Sequence, residues 1–213
     1  MKRLFDLILL ICAAPLWVLV IFFCYILNIL FEGFPGFYSS SRQIANNKNI
    51  TVFKFRVMKK KIDKKLNRST VSISDQIFFN LPTNKKIYTS FGLVLERLGI
   101  TELPQFFSVL KGDMSIVGAR PLPDDVFKEL KLKYPKIAEA RYKSKCGLTG
   151  LPQMVGRDNL ADEDRLALEG SYSEWTISDY NCIVDFKILL FTILIVLGFK
   201  KKLSLDQAHR IIK

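Results

Sequence analysis

Histidine and paired cysteines are nearly absent from this chain of 213 residues, and their scarcity excludes several kinds of site. The single histidine, His209, excludes histidine triads, His-Glu-x-x-His zinc sites and histidine-rich metal centres. The four cysteines form no Cys-x-x-Cys pair, which argues against a disulfide or zinc framework and for a reducing compartment. The chain also contains no P-loop, Rossmann glycine fingerprint or kinase motif set, which excludes those nucleotide-binding classes.

Acidic residues are also scarce relative to basic ones. The sequence has 20 Asp and Glu against 32 Lys and Arg, a formal net charge of +12, and yet 49% of its residues are hydrophobic. A chain that is both apolar and basic is typical of a protein at an anionic membrane surface, and next of one that binds an anionic substrate or nucleic acid. Most of the 17 phenylalanines lie in apolar runs, so we expect no nucleic-acid partner.

The longest apolar run covers residues 4–31. As one helix it would extend about 42 Å, more than the ~30 Å hydrocarbon core of a bilayer. Pro15 in its interior removes a backbone hydrogen bond, and basic residues on both sides of the run favour the cytoplasmic face for both ends. We therefore predict a re-entrant membrane helix over residues 1–33, broken near Pro15, with a tilted single span as the alternative.

A second apolar run covers residues 182–199. It carries Asp185 and Lys187 near its start, and three lysines, Lys200 to Lys202, follow it. Charges in the first turn and a polybasic end favour a helix that lies in the membrane interface. A second span and a core helix of a soluble domain are the alternatives.

The rest of the chain, residues 34–213, predicts a small cytosolic domain of the α+β class that is mostly helical, with a short strand or hairpin. Residues 50–58 alternate as a strand, which places Lys54 and Arg56 on one face because the side-chain period is two. Helices are predicted at about residues 91–98, from an N-cap at Thr101, over 124–144 with a break at Pro135, and over 161–176. Loops are predicted at 31–40 and 146–160.

One stretch, GITELPQFFSVLKGDMSIVGARPLP at residues 99–123, concentrates charged and turn-forming residues. It holds Glu102, Asp113 and Arg120, and further cations lie on the predicted strand or in a loop: Lys54, Arg56 and Arg157. Arginine binds two phosphate oxygens at once, and a divalent cation bridges carboxylate and phosphate oxygens. The pattern therefore predicts a site that holds a diphosphate through a divalent cation. The alternative is that Asp113 caps a turn and Arg120 pairs with it.

Several long stretches occur in an order that is typical of one family. They are KRLFDLILL, the Ala14-Pro15 dipeptide, FYSSSR with Arg42, VFKFRVM, ELPQFFSVLKGDMSIVGARPLP, GLTGLPQMVGR and DFKILLFTILIVL. With these motifs the chain resembles a bacterial sugar transferase of the small monotopic phosphoglycosyl transferase family along almost its whole length.

The resemblance implies an enzyme on the cytoplasmic face of the bacterial inner membrane. Such enzymes transfer a sugar 1-phosphate from a UDP-sugar to undecaprenyl phosphate, with magnesium, and initiate a lipid-linked surface polysaccharide or glycan. The implied partners are therefore a UDP-sugar, undecaprenyl phosphate and membrane lipid, and a homodimer is a further expectation. The resemblance also implies that Glu102 is the Mg²⁺ ligand. The substrate contacts that we expect are Arg42, Lys54, Arg56, Asp113, Arg120 and Arg157.

The sequence departs from the family at the position of its nucleophile. The family keeps an Asp-Glu pair before Leu-Pro-Gln, and the Asp forms a covalent acyl phosphate; here the pair is Thr101-Glu102. Three further positions differ from the family's usual residues: Ile44 stands where a Gly is usual, and Ala119 and Cys146 stand where a Pro is usual. A threonine hydroxyl needs a general base and would leave a stable phosphate ester.

Three hypotheses follow from the catalytic pair Thr101 and Glu102. In the first, Glu102 is the nucleophile and Asp113 contributes more of the metal coordination. In the second, the transfer is direct and in line, without a covalent stage. In the third hypothesis the chain is a catalytically inactive relative that acts as a subunit or scaffold of a glycan assembly complex.

Overall fold

The structure is a computed structural model, and it describes residues 1–45, 48–59, 87–156 and 160–212. Its first element is a long helix, α1 (Lys2–Glu32), with five buried residues spaced four or seven apart. They are Asp6, Leu10, Trp17, Ile21 and Asn28. This spacing forms one stripe that packs against the rest of the chain, while the apolar residues of the opposite face are exposed. By length and composition α1 could cross a membrane.

Pro15 lies inside α1, and helical structure continues across it. A continuous helix therefore stands where the sequence predicted a break. The proline removes one backbone hydrogen bond, but the contacts of the following turn hold the two halves together. Trp17 Nε1 donates to the carbonyl oxygen of Leu10 at 2.9 Å, and its ring packs edge-on against Phe106 with centroids 5.5 Å apart. The re-entrant membrane topology stays a prediction.

A β-hairpin follows α1. Strands β1 (Phe37–Ala45) and β2 (Lys48–Phe55) pair antiparallel, with Tyr38 opposite Lys54 and Arg42 opposite Ile50. The predicted hairpin is confirmed, but the strand predicted at 50–58 begins and ends earlier. The predicted loop at 31–40 is too long because β1 begins within it. The serines of β1 resemble a loop in sequence, and pairing with β2 overrides that local preference.

In the described ranges the remaining elements are helices of 5 to 17 residues and one pair of parallel strands. They are α2 (Ser90–Arg97), a 3₁₀ helix (Ile100–Gln105), α3 (Phe106–Lys111), β3 (Ser115–Val117), α4 (Asp124–Lys133), α5 (Pro135–Ala140), β4 (Gly147–Thr149), α6 (Leu151–Val155), α7 (Asp162–Ser178), α8 (Cys182–Val196) and α9 (Leu205–His209). Strand β3 pairs parallel with β4. The mostly helical α+β class is therefore confirmed.

Most predicted helices are confirmed, and one predicted cap is wrong. The break at Pro135 and the helices at 161–176 and 182–199 correspond to α4 with α5, α7 and α8. Thr101 is not an N-cap, since it lies inside the 3₁₀ helix, which follows Gly99 in the left-handed conformation at φ 67°. The threonine that caps a helix is Thr89, whose hydroxyl accepts from the Gly92 amide at 3.0 Å at the start of α2.

The main core joins α3, β3, β4, α7 and α8 around buried residues such as Met114, Val117 and Tyr172. The N-terminal end of α1 is tied to this core by Lys2. Its Nζ lies 2.6 Å from Asp185 Oδ2 in α8 and 2.7 Å from the Tyr172 hydroxyl in α7. The first turn of α1 is therefore fixed against the helix formed by the second apolar run.

Candidate active site

Glu102 lies at the centre of a cluster of cations that three separate segments bring together. Lys54 Nζ in β2 donates to Glu102 Oε1 at 2.6 Å. Arg120, three residues after β3, donates through Nη2 to Oε1 at 2.6 Å and through Nη1 to Oε2 at 3.2 Å. The guanidinium therefore binds the carboxylate with both of its terminal nitrogens, the geometry in which arginine also binds a phosphate.

A small cleft opens beside this cluster. Its lining residues are Arg42, Val52, Lys54, Glu102, Gln105, Arg120, Pro121 and Gly147. Three of these side chains are cationic and one is a carboxylate. The lining therefore carries an excess of positive charge suited to an anionic ligand.

The environment of Lys54 makes its charge sensitive to pH. Burial lowers the pKa of Lys54 to about 8, Glu102 opposes that shift, and Arg120 and Arg42 add to it. Lys54 is therefore charged at neutral pH and loses its proton in mild alkali. A ligand that brings further negative charge would hold the proton on Lys54.

Four of the predicted site residues meet at the cleft: Arg42, Lys54, Glu102 and Arg120. Arg56 does not, because its guanidinium Nη2 turns to the end of α1 and donates to the carbonyl oxygens of Glu32 and Gly33 at 2.5 and 2.7 Å. The last carbonyls of a helix have no partners within it, and a cation there is favourable. The prediction that Arg56 shares a site with Lys54 is therefore not supported by the geometry.

Asp113 is also absent from the cleft lining. Asp113 comes before β3 and Arg120 comes after it, so the strand separates them. The alternative in which Asp113 pairs with Arg120 is wrong, because the partner of Arg120 is Glu102. Arg157 lies outside the described residues, and its role as a substrate contact stays a prediction.

Thr101 lies beside Glu102 in sequence but does not line the cleft. Its side chain is buried, with 6% of the residue exposed, and Oγ1 donates to Glu96 Oε2 at 3.2 Å. The hydroxyl at the position of the family's nucleophile is therefore engaged by a carboxylate of α2. A substrate in the cleft would meet Glu102 and not Thr101.

Two features of the site were missed in the sequence. Gln105 lines the cleft, and its position three residues after Glu102 could have indicated this, because side chains at i and i+3 of a 3₁₀ helix eclipse each other. The second feature is a buried pair, Arg141 and Glu169, that holds the backbone of Arg120. No local motif indicates this pair, since Arg141 follows the end of α5 and Glu169 lies in α7.

A magnesium ion would find few protein ligands here. Within the described ranges, no group of three or more His, Cys, Asp or Glu side chains could hold a metal ion. Mg²⁺ is usually bound by one or two carboxylates together with substrate phosphates and water, so a single carboxylate is compatible with it. Both oxygens of Glu102 accept from cations, and the positive charges of Lys54 and Arg120 oppose a metal ion at the same carboxylate.

Comparison with known proteins identifies the family. The sequence model of the family described as bacterial sugar transferase matches residues 1–199. The chain belongs to the bacterial sugar transferase family. This confirms the resemblance drawn from the motifs and the prediction that the chain is a transferase enzyme.

Three relatives of this bacterial sugar transferase illustrate the range of the family. The chain is 34% identical over 91% of its length to the uncharacterized sugar transferase EpsL of Bacillus subtilis, of which it covers 85%. It is 35% identical over 78% of its length to the galactosyl transferase CpsE of Streptococcus agalactiae, but covers only 35% of that protein. It is 31% identical over 92% of its length to the undecaprenyl-phosphate galactose phosphotransferase of Salmonella typhimurium, of which it covers 40%.

Proposed function

We propose that this sugar transferase moves a sugar 1-phosphate from a UDP-sugar to undecaprenyl phosphate and so initiates a lipid-linked surface polysaccharide or glycan. The observation that carries the proposal is the convergence of Arg42, Lys54 and Arg120 on one cleft around Glu102. Relatives named undecaprenyl-phosphate galactose and glucose phosphotransferase support the same chemistry.

The cleft suits a diphosphate better than a neutral ligand. Lys54 and Arg120 are 20% and 21% exposed in their side chains, and Glu102 is their shared partner. When a diphosphate enters, its oxygens can replace the carboxylate as partners of both cations. The exchange costs little because each cation keeps a charge-assisted hydrogen bond throughout.

Glu102 released in this way would hold Mg²⁺ together with the donor's phosphate oxygens. When bound, the metal supplies charge neutralisation on the transferred phosphoryl group. The chain's own cations act on the same charge: Arg120 binds two oxygens in its fork, and Lys54 binds one. Magnesium dependence is a prediction of the proposal.

Direct transfer fits the geometry better than a covalent stage. A phosphate oxygen of undecaprenyl phosphate attacks the β-phosphorus of the UDP-sugar, the bond from that phosphorus to the bridging oxygen breaks, and UMP leaves with that oxygen. Thr101 is buried against Glu96, which makes its hydroxyl a poor nucleophile, and the proposal assigns the released Glu102 to the metal and not to attack on phosphorus. The residues of the cleft instead orient the two phosphates and stabilise the charge between them.

The contacts of α1 support a monotopic arrangement on the cytoplasmic face of the inner membrane. The helix has 31 residues and would extend about 46 Å if straight. Arg3 near its start donates to the carbonyl oxygen of Leu110, and Asn28 near its end donates to that of Arg56. Because one cytosolic domain contacts both ends of the helix, both ends lie on the same side of the membrane.

The second apolar helix supports the same placement. Five large apolar side chains of α8 are exposed: Ile183, Phe186, Leu190, Ile193 and Val196. Lys200 to Lys202, which follow α8, are exposed as well. An apolar helix with a basic end is suited to the interface of an anionic membrane. We therefore keep α8 as an interfacial helix of the domain that begins at residue 34.

The inactive scaffold is the second candidate, and the burial of Thr101 is the observation that favours it. Labelled UDP-glucose and UDP-galactose, undecaprenyl phosphate and Mg²⁺ separate the two candidates. We expect a lipid-linked sugar and UMP, both abolished by Glu102→Gln. The matched control is Glu139→Gln, because Glu139 is 46% exposed in a surface pair with Lys131. Absence of both products across a panel of UDP-sugars would exclude the enzyme and leave the scaffold.

A further inference from the structure

Gln105 carries an unexplained hydrogen-bond donor. It is the last residue of the 3₁₀ helix, it lines the cleft, and only 2% of it is exposed. Its Nε2 has no hydrogen-bond partner in the part of the chain that the structure describes. Buried polar side chains almost always have a partner, so an unpaired amide nitrogen beside a cleft requires a reason.

The neighbours of Gln105 in the cleft do not pair with its amide. Lys54 and Arg120 are donors only, and Nε2 makes no hydrogen bond to the Glu102 carboxylate, which accepts from both cations. Because Gln105 follows Glu102 by three residues in a 3₁₀ helix, the two side chains project in the same direction. An acceptor that reached Glu102 and its cations would therefore also come within reach of the Gln105 amide.

We propose that Gln105 is a ligand-binding residue whose Nε2 donates to a phosphate oxygen of the donor's diphosphate. This inference rests on the proposed function and names a contact within that site. Ionised phosphate oxygens accept hydrogen bonds and donate none, which matches a group that offers two N–H donors. The amide adds a directed bond without adding charge, so it orients the diphosphate that the cations attract.

A purely structural role for Gln105 and a ligand-binding role predict opposite changes in stability when the amide is removed. If the amide served the fold, its replacement by a side chain of similar size without hydrogen bonds would destabilise the protein. If the amide is kept for a ligand, its removal relieves an unpaired buried donor, and the folded protein without ligand should be at least as stable. Gln105→Met makes this change with little change in volume.

The test uses the full chain in detergent with Mg²⁺, and UDP as the probe. We expect Gln105→Met to melt at or above the wild-type temperature and to bind UDP about tenfold more weakly by calorimetry. Gln105→Glu replaces the donor with a negative acceptor and should weaken binding further. Gln207→Met is the control, because Gln207 is an exposed glutamine of the α9 capping box that does not line the cleft.

The possible results separate this inference from the function on which it rests. If Gln105→Met binds UDP as tightly as the wild type does, the inference is overturned. The proposed function still stands in that case if the wild-type protein forms product. A melting temperature well below that of the wild type would also overturn the inference, because the amide would then serve the fold. A wild-type protein that neither binds UDP nor forms product would overturn both.

Discussion

Arg141 Nη2 donates a hydrogen bond to the carbonyl oxygen of Arg120 at 2.6 Å. The same guanidinium donates through Nε to Glu169 Oε2 in α7 at 2.7 Å, and Arg141 is completely buried. Burial opposes ionisation of Glu169, but Arg141 and Arg165 outweigh it and hold the pKa of that carboxyl below its ordinary value. A buried ion pair therefore fixes the backbone from which Arg120 reaches the cleft.

The first prediction concerns Glu169→Gln. Loss of the carboxylate leaves the Arg141 charge buried without its ionic partner, which should cost about 3 kcal/mol of unfolding free energy. The displaced Arg120 backbone should also weaken UDP binding. Thermal unfolding and UDP titration of the same preparation measure both effects.

Glu174→Gln is the control for that change. Glu174 is 57% exposed in its side chain and pairs with Lys143 at the surface, so its loss should alter stability by less than about 1 kcal/mol. Equal stability of the wild type and Glu169→Gln would contradict the assigned role of the buried pair.

The second prediction follows from the lowered pKa of Lys54. Because this pKa is about 8, the free protein loses a positive charge in the cleft as the pH rises through 8. A charge-assisted hydrogen bond to phosphate is lost with it, so UDP affinity should fall about tenfold in alkali. Calorimetric titration across this pH range measures the fall.

Lys54→Arg serves as the comparison, since arginine keeps its charge throughout the range. Its UDP affinity should change much less between neutral and alkaline pH. Parallel curves for the two proteins would show that another group controls the binding of UDP.

The sequence predicted the composition of the site better than its geometry. Glu102 and Arg120 lie in one motif, so a short-range pattern indicated both of them, whereas Lys54 was grouped with them by its charge and not by any local spacing. Arg56 follows the end of β2, where the strand period no longer decides direction, and the unpaired carbonyls at the end of α1 bind it. Such a contact between distant segments has no local signal.

At Pro15 and Thr101 the structure also differs from what the residue type predicts. A proline predicts the loss of one hydrogen bond, but the stripe of α1 that packs on the domain keeps the helix continuous around it. Thr101 has the residue type and spacing of an N-cap, yet Glu96 in the preceding helix binds its hydroxyl. In neither case does the residue type alone decide the local structure.

The third prediction is that Thr101→Val forms product at a rate within a few-fold of the wild type. Valine has nearly the shape of threonine but no hydroxyl, so it removes only the hydrogen bond to Glu96. Direct transfer does not use that hydroxyl. Complete loss of turnover in a folded Thr101→Val protein would instead assign the hydroxyl to the reaction.

The fourth prediction concerns restoration of the family's aspartate. Thr101→Asp would place two carboxylates near each other, because the Thr101 hydroxyl lies 3.2 Å from Glu96 Oε2. The repulsion should destabilise the protein by about 1 to 3 kcal/mol. Adding Glu96→Gln should recover most of this loss, and thermal unfolding of the two variants measures it.

The double variant also tests for a covalent stage. With UDP-sugar and Mg²⁺, we expect intact-mass spectra of Thr101→Asp with Glu96→Gln to show no phospho-sugar adduct, because the side chain at position 101 does not line the cleft. The wild type should show none either. A stable Thr101→Asp single variant would contradict the repulsion, and an adduct on the wild type would contradict direct transfer.

The fifth prediction concerns the two ends of α1, which should both face the cytoplasm. Leu4 and Phe34 are 63% and 71% exposed and lie near the start and just beyond the end of the helix. Single cysteines at these positions, in a variant without the four native cysteines, should both resist an impermeant thiol reagent in intact cells. Both should react after the inner membrane is opened. If either position reacts in cells with only the outer membrane opened, α1 crosses the bilayer, because the domain contacts at Arg3 and Asn28 could not then form on one side.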